Sequence, residues 1–205
     1  MRHPATKTII PKVNDFDIRR SIMPYEESQL AFLGDQKADF YRQALDESEA
    51  FREDYKKRKG IVKSSEMLWE DSPNGKIKHI INEKMNTKEC ALDMYMQFLD
   101  PEGRSGKHRH MSEELFFVLE GVGYDLHWDV DFELEDDYTW IWSKEPKKFE
   151  WKEGDVVYVP PYSIHQHFNS DNKNPARLLI ATSRIPKALG FDWFDQVENA
   201  PGYEG

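Results

Sequence analysis

The chain has 205 residues, of which 39% are hydrophobic, 13% aromatic and 32% charged; this suits one folded domain with an extension and excludes both a multidomain machine and a disordered solvating segment. With 38 acids against 28 bases the net charge is −10, so the molecule as a whole repels phosphate backbones and anionic lipid, and neither nucleic acid nor membrane is an expected partner. A single cysteine, Cys90, excludes an internal disulfide and a thiolate-rich zinc cluster, which leaves histidine and carboxylate as the available metal ligands.

No secretory apolar region follows Met1-Arg2-His3-Pro4, and no apolar run approaches the ~18 residues that span a bilayer, so a cytoplasmic location is expected. Residues 1–24 keep no steady period around Pro4, Pro11 and Pro24 and read as an extended arm. From Asp35 to about Lys59 the residues are mostly helix formers. Tyr41, Ala44, Leu45, Phe51 and Tyr55 form one stripe, and Gly60 terminates the segment, which predicts an amphipathic helix with a solvated charged face.

Beyond Gly60 the texture turns to short β-branched and aromatic runs punctuated by Gly and Pro. Ser65–Trp69 and Lys76–Asn82, separated by Ser72-Pro73-Asn74-Gly75, read as a hairpin. Leu92, Met94, Met96 and Phe98 alternate with Asp93, Tyr95 and Gln97, which predicts a strand with its apolar set on the core face. Further strands are predicted at 114–119, 123–128, 139–142, 148–151, 156–159, 165–168 and 176–182. So many short strands without alternating helices favour a closed sandwich or barrel. The division expected is an N-terminal arm and helix over 1–60 and a barrel over 61–205.

Chemistry concentrates in His108-Arg109-His110 with Glu114, and in His165-Gln166-His167. Strand residues two apart share a face, so His108 and His110 can offer two imidazoles to one point, while Arg109 and Glu113 turn away. Glu114 keeps the parity of the two histidines and adds a carboxylate oxygen; a third nitrogen must come from His165 or His167 on another strand.

Two spaced motifs carry a family resemblance: His108-x-His110-x3-Glu114-x6-Gly121 and Gly154-x5-Pro160-x-Tyr162-x2-His165-x3-Asn169. Spanning 103–121 and 154–169, they resemble the signatures of the cupin superfamily, and the likeness covers about residues 90–185. Gly103 stands one residue closer to His108 than the family pattern has it. Tyr162 stands where the pattern usually has Gly, so the turn before His165 is expected to be made differently, through Pro160-Pro161. The resemblance implies an all-β double-stranded β-helix, or jelly-roll barrel; the N-terminal helical extension, read from the residue pattern, lies outside it.

It further implies His108, His110, Glu114 and His165 as metal ligands, with Fe(II) or Mn(II) as the expected ion and Zn, Ni or Co as alternatives. His167 shares the parity of His165; it either orients substrate and shuttles a proton, as a catalytic residue, or simply lines the barrel. His127 is read as structural or exposed, and His3 and His79 receive no functional reading. Met94, Met96, Phe116 and Val118 are expected to line the interior. Trp128, Tyr138, Trp140 and Trp142 are expected to cover the mouth or a dimer seam, and Arg104 and Lys107 to attract an anion.

Three functions remain open from the sequence. The first is a metal-dependent enzyme that cleaves a carbon–carbon bond of a small phenolic, keto-enol or β-dicarbonyl substrate by dioxygenation. The second is an oxygen-independent Mn or Zn hydrolase, decarboxylase or isomerase. The third is a small-molecule-binding cupin without turnover. By resemblance the chain is expected to form a homodimer.

Overall fold

In the computed structural model of the protein, the described residues are 37–88, 91–134 and 136–205. The expected arm, His3 and Cys90 fall outside them. Helix α1, Phe40–Lys57, is an 18-residue run free of Gly and Pro that ends on Lys56 and Lys57, cations that suit the negative end of its dipole. Its whole length is exposed, and i,i+4 pairs such as Arg42 with Asp46 lace its surface. Among the described residues no helix is long and apolar enough to cross a membrane.

All the described strands lie within residues 52–205. In chain order they are β1 (Trp69–Ser72), β2 (Gly75–Ile81), β3 (Leu92–Leu99), β4 (Lys107–His110), β5 (Glu114–Glu120), β6 (Val122–Trp128), β7 (Val130–Leu134), β8 (Tyr138–Trp142), β9 (Lys147–Lys152), β10 (Val156–Val159), β11 (Ile164–Asn169), β12 (Ala176–Ser183) and β13 (Phe194–Glu198). A short helix, α2 (Ile185–Ala188), follows β12. A six-stranded sheet ordered β1-β2-β3-β12-β5-β10 faces a five-stranded sheet ordered β13-β4-β11-β6-β9, and β7 and β8 form a separate ribbon. Every pairing between these strands is antiparallel, as in β12 against both β3 and β5. This is the jelly-roll architecture.

The first hairpin differs from the sequence reading. Residues Ser64–Glu66 form a single 3-10 turn, closed by the Glu66 carboxylate accepting from the Lys63 N–H at 3.0 Å, so the strand starts at Trp69 rather than Ser65. Ser72 pairs directly with Gly75, whose φ of 102° carries the positive dihedral the tight reversal needs.

Inward-facing residues divide the interior into two halves. Leu99, Phe116, Val118, Trp151, Ala176, Leu178 and Ile180 form the apolar core, each contributing on the order of 1.5–3 kcal/mol if a large side chain. The other half is polar: Gln97, Ser105, Asp125, His127 and the motif histidines are all buried. This polarity explains why the parity expected of β3 is reversed. Gln97 and Leu99 are the buried residues of that strand, with Tyr95 packed on the core, whereas Met94 and Met96 stand on the opposite parity, half-buried; Phe116 and Val118 do line the interior. Gln97 is accommodated because its amide donates to the Asn74 carbonyl at 2.8 Å.

Candidate metal centre

Three strands and one turn bring the motif residues together. Alternation along β4 turns His108 and His110 inward, at 1% and 8% exposure. The Met111–Glu113 turn then carries the chain into the other sheet, where Glu114 opens β5 facing in and Glu113 faces out to accept from the Tyr158 hydroxyl at 3.1 Å. His165 on β11 is the direct register partner of His108. The His108 and His165 rings lie 4.2 Å apart, and His110 lies 5.4 Å from His108 and 5.1 Å from His165. One ligand atom from each of His108, His110, Glu114 and His165 falls within 4.8 Å of the others, all four residues being buried.

Each imidazole is also aimed. The Nδ1–H of His110 donates to the Ser112 carbonyl at 2.8 Å, that of His165 to Ser163 at 3.0 Å, and that of His108 reaches toward Gly106 at 3.5 Å. In each case the carbonyl belongs to a residue two positions away, so the backbone itself sets the tautomer and leaves Nε2 as the lone-pair nitrogen. The Nε2 atoms of His110 and His165 and Oε1 of Glu114 are buried and have no hydrogen-bond partner. Buried polar atoms rarely go unsatisfied, and a cation between them would satisfy all of them at once. The donor set therefore fits a divalent transition ion.

The protonation states agree with this. Burial, then the neighbouring His110, lowers the His108 imidazole to about 3, and burial with His108 holds His165 well below its usual range. Both are neutral ligands at neutral pH. Burial works to raise the Glu114 carboxyl, but the imidazoles of His110 and His167 that face it and the nearby His165 outweigh burial and keep the group well below the carboxylate range.

His167 lies one layer deeper. It is fully buried, with Nδ1 2.9 Å from Asp125 Oδ2 and Nε2 3.3 Å from Glu114 Oε1. Burial alone would lower this imidazole; the Asp125 charge and the bonds to Asp125 and Glu114 instead raise it to about 10. His127 is buried, with Nε2 3.2 Å from Asp125 Oδ2. Asp125 was legible in principle, since it shares the inward parity of Gly123 and His127 on β6.

A groove of about 470 Å³ opens onto His108, His110 and Tyr95, walled by Met94, Trp193 and Phe194 among others. Phe194 stacks parallel to His110 at 6.1 Å and lies 5.9 Å from His108. Nothing in the sequence marked this residue, because β13 pairs with β4 across a long separation: Phe194 faces His110 and Gln196 faces His108.

The same strand corrects the expected anion lure. Arg104 and Lys107 each lie 3.4 Å from Glu198, and Lys107 also sits over Trp128; Arg109 pairs with Asp195 at 2.7 Å, turned away from the site as expected. The three cations are spent on β13.

Tyr162 corrects a second expectation. Its own φ is 60°, so the tyrosine takes up the left-handed turn in place of the usual glycine. Trp140, Trp142 and Trp193 surround its ring at 5.0, 5.5 and 5.8 Å, and the Trp142 indole donates to its carbonyl at 3.1 Å. Part of the aromatic insert thus braces this turn.

Fold and site together define a cupin. Residues 95–182 match the cupin domain family, which supports the resemblance to the cupin superfamily. Among curated proteins it is similar to auxin-binding protein T85 of Nicotiana tabacum, 25% identical over 95 residues that make up 46% of this chain and 47% of the relative. The chain thus spans about half the length of that relative. Among solved structures, the oxalate decarboxylase of Lactobacillus farciminis in its formate complex superposes with a TM-score of 0.50 at 16% identity, covering 65% of this chain and 34% of that one. An RmlC-like cupin from Shewanella frigidimarina gives a TM-score of 0.43 at 16% identity, covering 61% of this chain and 90% of that one. At 16% identity the likeness to the oxalate decarboxylase is one of fold.

Proposed function

We propose that the chain is a metal-dependent enzyme that holds one divalent transition ion, Fe(II) or Mn(II), through His108, His110, Glu114 and His165, and cleaves a carbon–carbon bond of a small phenolic, keto-enol or β-dicarbonyl substrate with dioxygen. The observation that carries this reading is the trio of imidazoles whose Nδ1 atoms face backbone carbonyls, leaving their Nε2 atoms and a buried carboxylate to converge. Such an ion, when bound, supplies Lewis acidity toward substrate oxygens and, as Fe(II), electrons toward dioxygen. The groove admits the substrate on the His108 and His110 side, where Phe194 flanks those imidazoles. The Glu114 carboxylate would offset the positive charge of such an ion.

Two other readings remain tied to observations. A carboxylate ligand such as Glu114 also suits Mn or Zn in an oxygen-independent hydrolase, decarboxylase or isomerase. The auxin-binding name of the Nicotiana relative supports a binder without turnover. We assign residues 61–205 to the barrel and 1–60 to an extension. A homodimer is the assembly we propose, supported by an exposed apolar row on the outer face of β5 and β10: Leu115, Phe117, Val156 and Tyr158.

Elemental analysis of protein purified without added metal, followed by oxygen uptake with a panel of phenols and β-dicarbonyls, tests the assignment. About one ion per chain and oxygen consumed in step with substrate are expected. Product formed equally well under anaerobic conditions would move the assignment to the oxygen-independent reading. Tight uptake of panel compounds without product would move it to the binder.

A further inference from the structure

We propose, on the footing of the metal-binding reading above, that His167 is a positioning residue: braced by Asp125, it holds the Glu114 carboxylate in the orientation that ligates the ion. The imidazole is not among the residues that line the groove, so a substrate bound there meets His108 and His110 instead. Its two nitrogens face two buried carboxylates, Asp125 at 2.9 Å and Glu114 at 3.3 Å.

The brace behind it is complete. Asp125 Oδ1 accepts from the Trp151 indole N–H at 2.9 Å, and Oδ2 lies 3.2 Å from His127. The His167 backbone N–H donates to the Ser105 hydroxyl at 2.9 Å, and Phe116 meets the ring edge-on at 4.9 Å. The ring is fixed in place and in plane. In front of it the fit is unfinished: His167 Nε2 and Glu114 Oε1 are each buried without an aligned partner although they face one another. The other carboxylate oxygen, Oε2, has the Tyr95 hydroxyl at 3.4 Å. Glu114 is therefore flanked by Tyr95 and His167, and the second of these is backed by Asp125. Groups that hold a ligating carboxylate typically change metal affinity by 10–100-fold when removed.

The experiment compares His167→Gln with His167→Asn. A glutamine amide nitrogen lies near the position of Nε2 and keeps the donor toward Glu114. An asparagine amide lies near Nδ1, keeping the Asp125 bond and losing the Glu114 contact. Mn(II) affinity is measured by competition with a chelating dye, the Mn(II) site by electron paramagnetic resonance, and the fold by thermal unfolding of the metal-free proteins. The expected result is His167→Gln within about threefold of the unsubstituted chain, and His167→Asn about tenfold weaker with an altered spectrum. Should His167→Asn fail to fold, His167→Leu, which also removes the donor toward Glu114, serves in its place, with a loss of about the same size expected. Equal affinity and spectra in all proteins, or a loss in His167→Gln as deep as in His167→Asn, would overturn the proposal. No Mn(II) uptake by the unsubstituted chain would overturn the metal-binding reading and this one with it, and that outcome appears before any variant is compared.

Discussion

Tyr162 holds a left-handed backbone, at φ 60°, because its ring is wedged among Trp140, Trp142 and Trp193 and its N–H donates to the His110 carbonyl at 2.7 Å. A side chain in that region costs about 1–2 kcal/mol, which the packing of a ring 7% exposed offsets. Two substitutions separate the contributions. Tyr162→Ala loses the ring and keeps the strain, for a loss of about 3 kcal/mol or more; Tyr162→Gly loses the ring alone and is expected to be the more stable by about 1 kcal/mol, read from urea denaturation midpoints. Equal midpoints would remove the strain from the account. At the metal centre, His165→Ala is expected to abolish stoichiometric ion binding, because His165 supplies a nitrogen from a different strand than His108 and His110. Retention of one ion per chain by that variant in elemental analysis would sink the four-ligand assignment.

At the scale of elements, strands β5, β6, β10, β11 and β12 were legible because each alternates or is β-branched and is bounded by Gly, Pro or Asn. Strand β3 misled for a physical reason. Its inward face borders the polar half of the interior, where Gln97 is buried and Tyr95 reaches Glu114, so counting apolar residues picks the wrong face. That His108, His110, Glu114 and His165 converge was legible from the family resemblance, whereas spacing alone left His165 and His167 open; the brace of Asp125 and His167 was not legible, since it depends on β6 and β11 lying side by side with Asp125 opposite His167. Strand β13 was invisible because its partner β4 lies far back in the chain. That pairing predicts a clear outcome: a chain ended after Gly190 leaves one edge of β4 bare, and is expected to bind Mn(II) at least tenfold more weakly and to unfold at lower urea. Unchanged affinity would mean that β13 is dispensable to the site.

For the molecule as a whole, an ion bound only by the native state couples to stability. At a free concentration of 100 times its dissociation constant it contributes about 2.7 kcal/mol, so chelation is expected to lower the unfolding temperature by several degrees. In the metal-free protein the pH dependence has two limbs. An unfolded chain protonates His108 near 6.5, whereas the native chain resists until about 3, so stability from this group falls as pH drops across that interval. His167 works the other way: its native proton is kept up to about 10, so its contribution is present below 6.5 and is lost as pH rises from there toward 10. The urea midpoint of the metal-free chain is expected to peak near pH 6.5; a midpoint that rises steadily to pH 9 would contradict the environment described for His167.

The pairing of β13 with β4 also orders events in time. A nascent chain emerging from the ribosome presents His108 and His110 long before Phe194–Glu198 exists to flank them. Until then the strand that carries both imidazoles has an unpaired edge and lacks Phe194 beside it. Ion uptake at the proposed site is therefore expected only after Phe194–Glu198 has been made and has paired with β4.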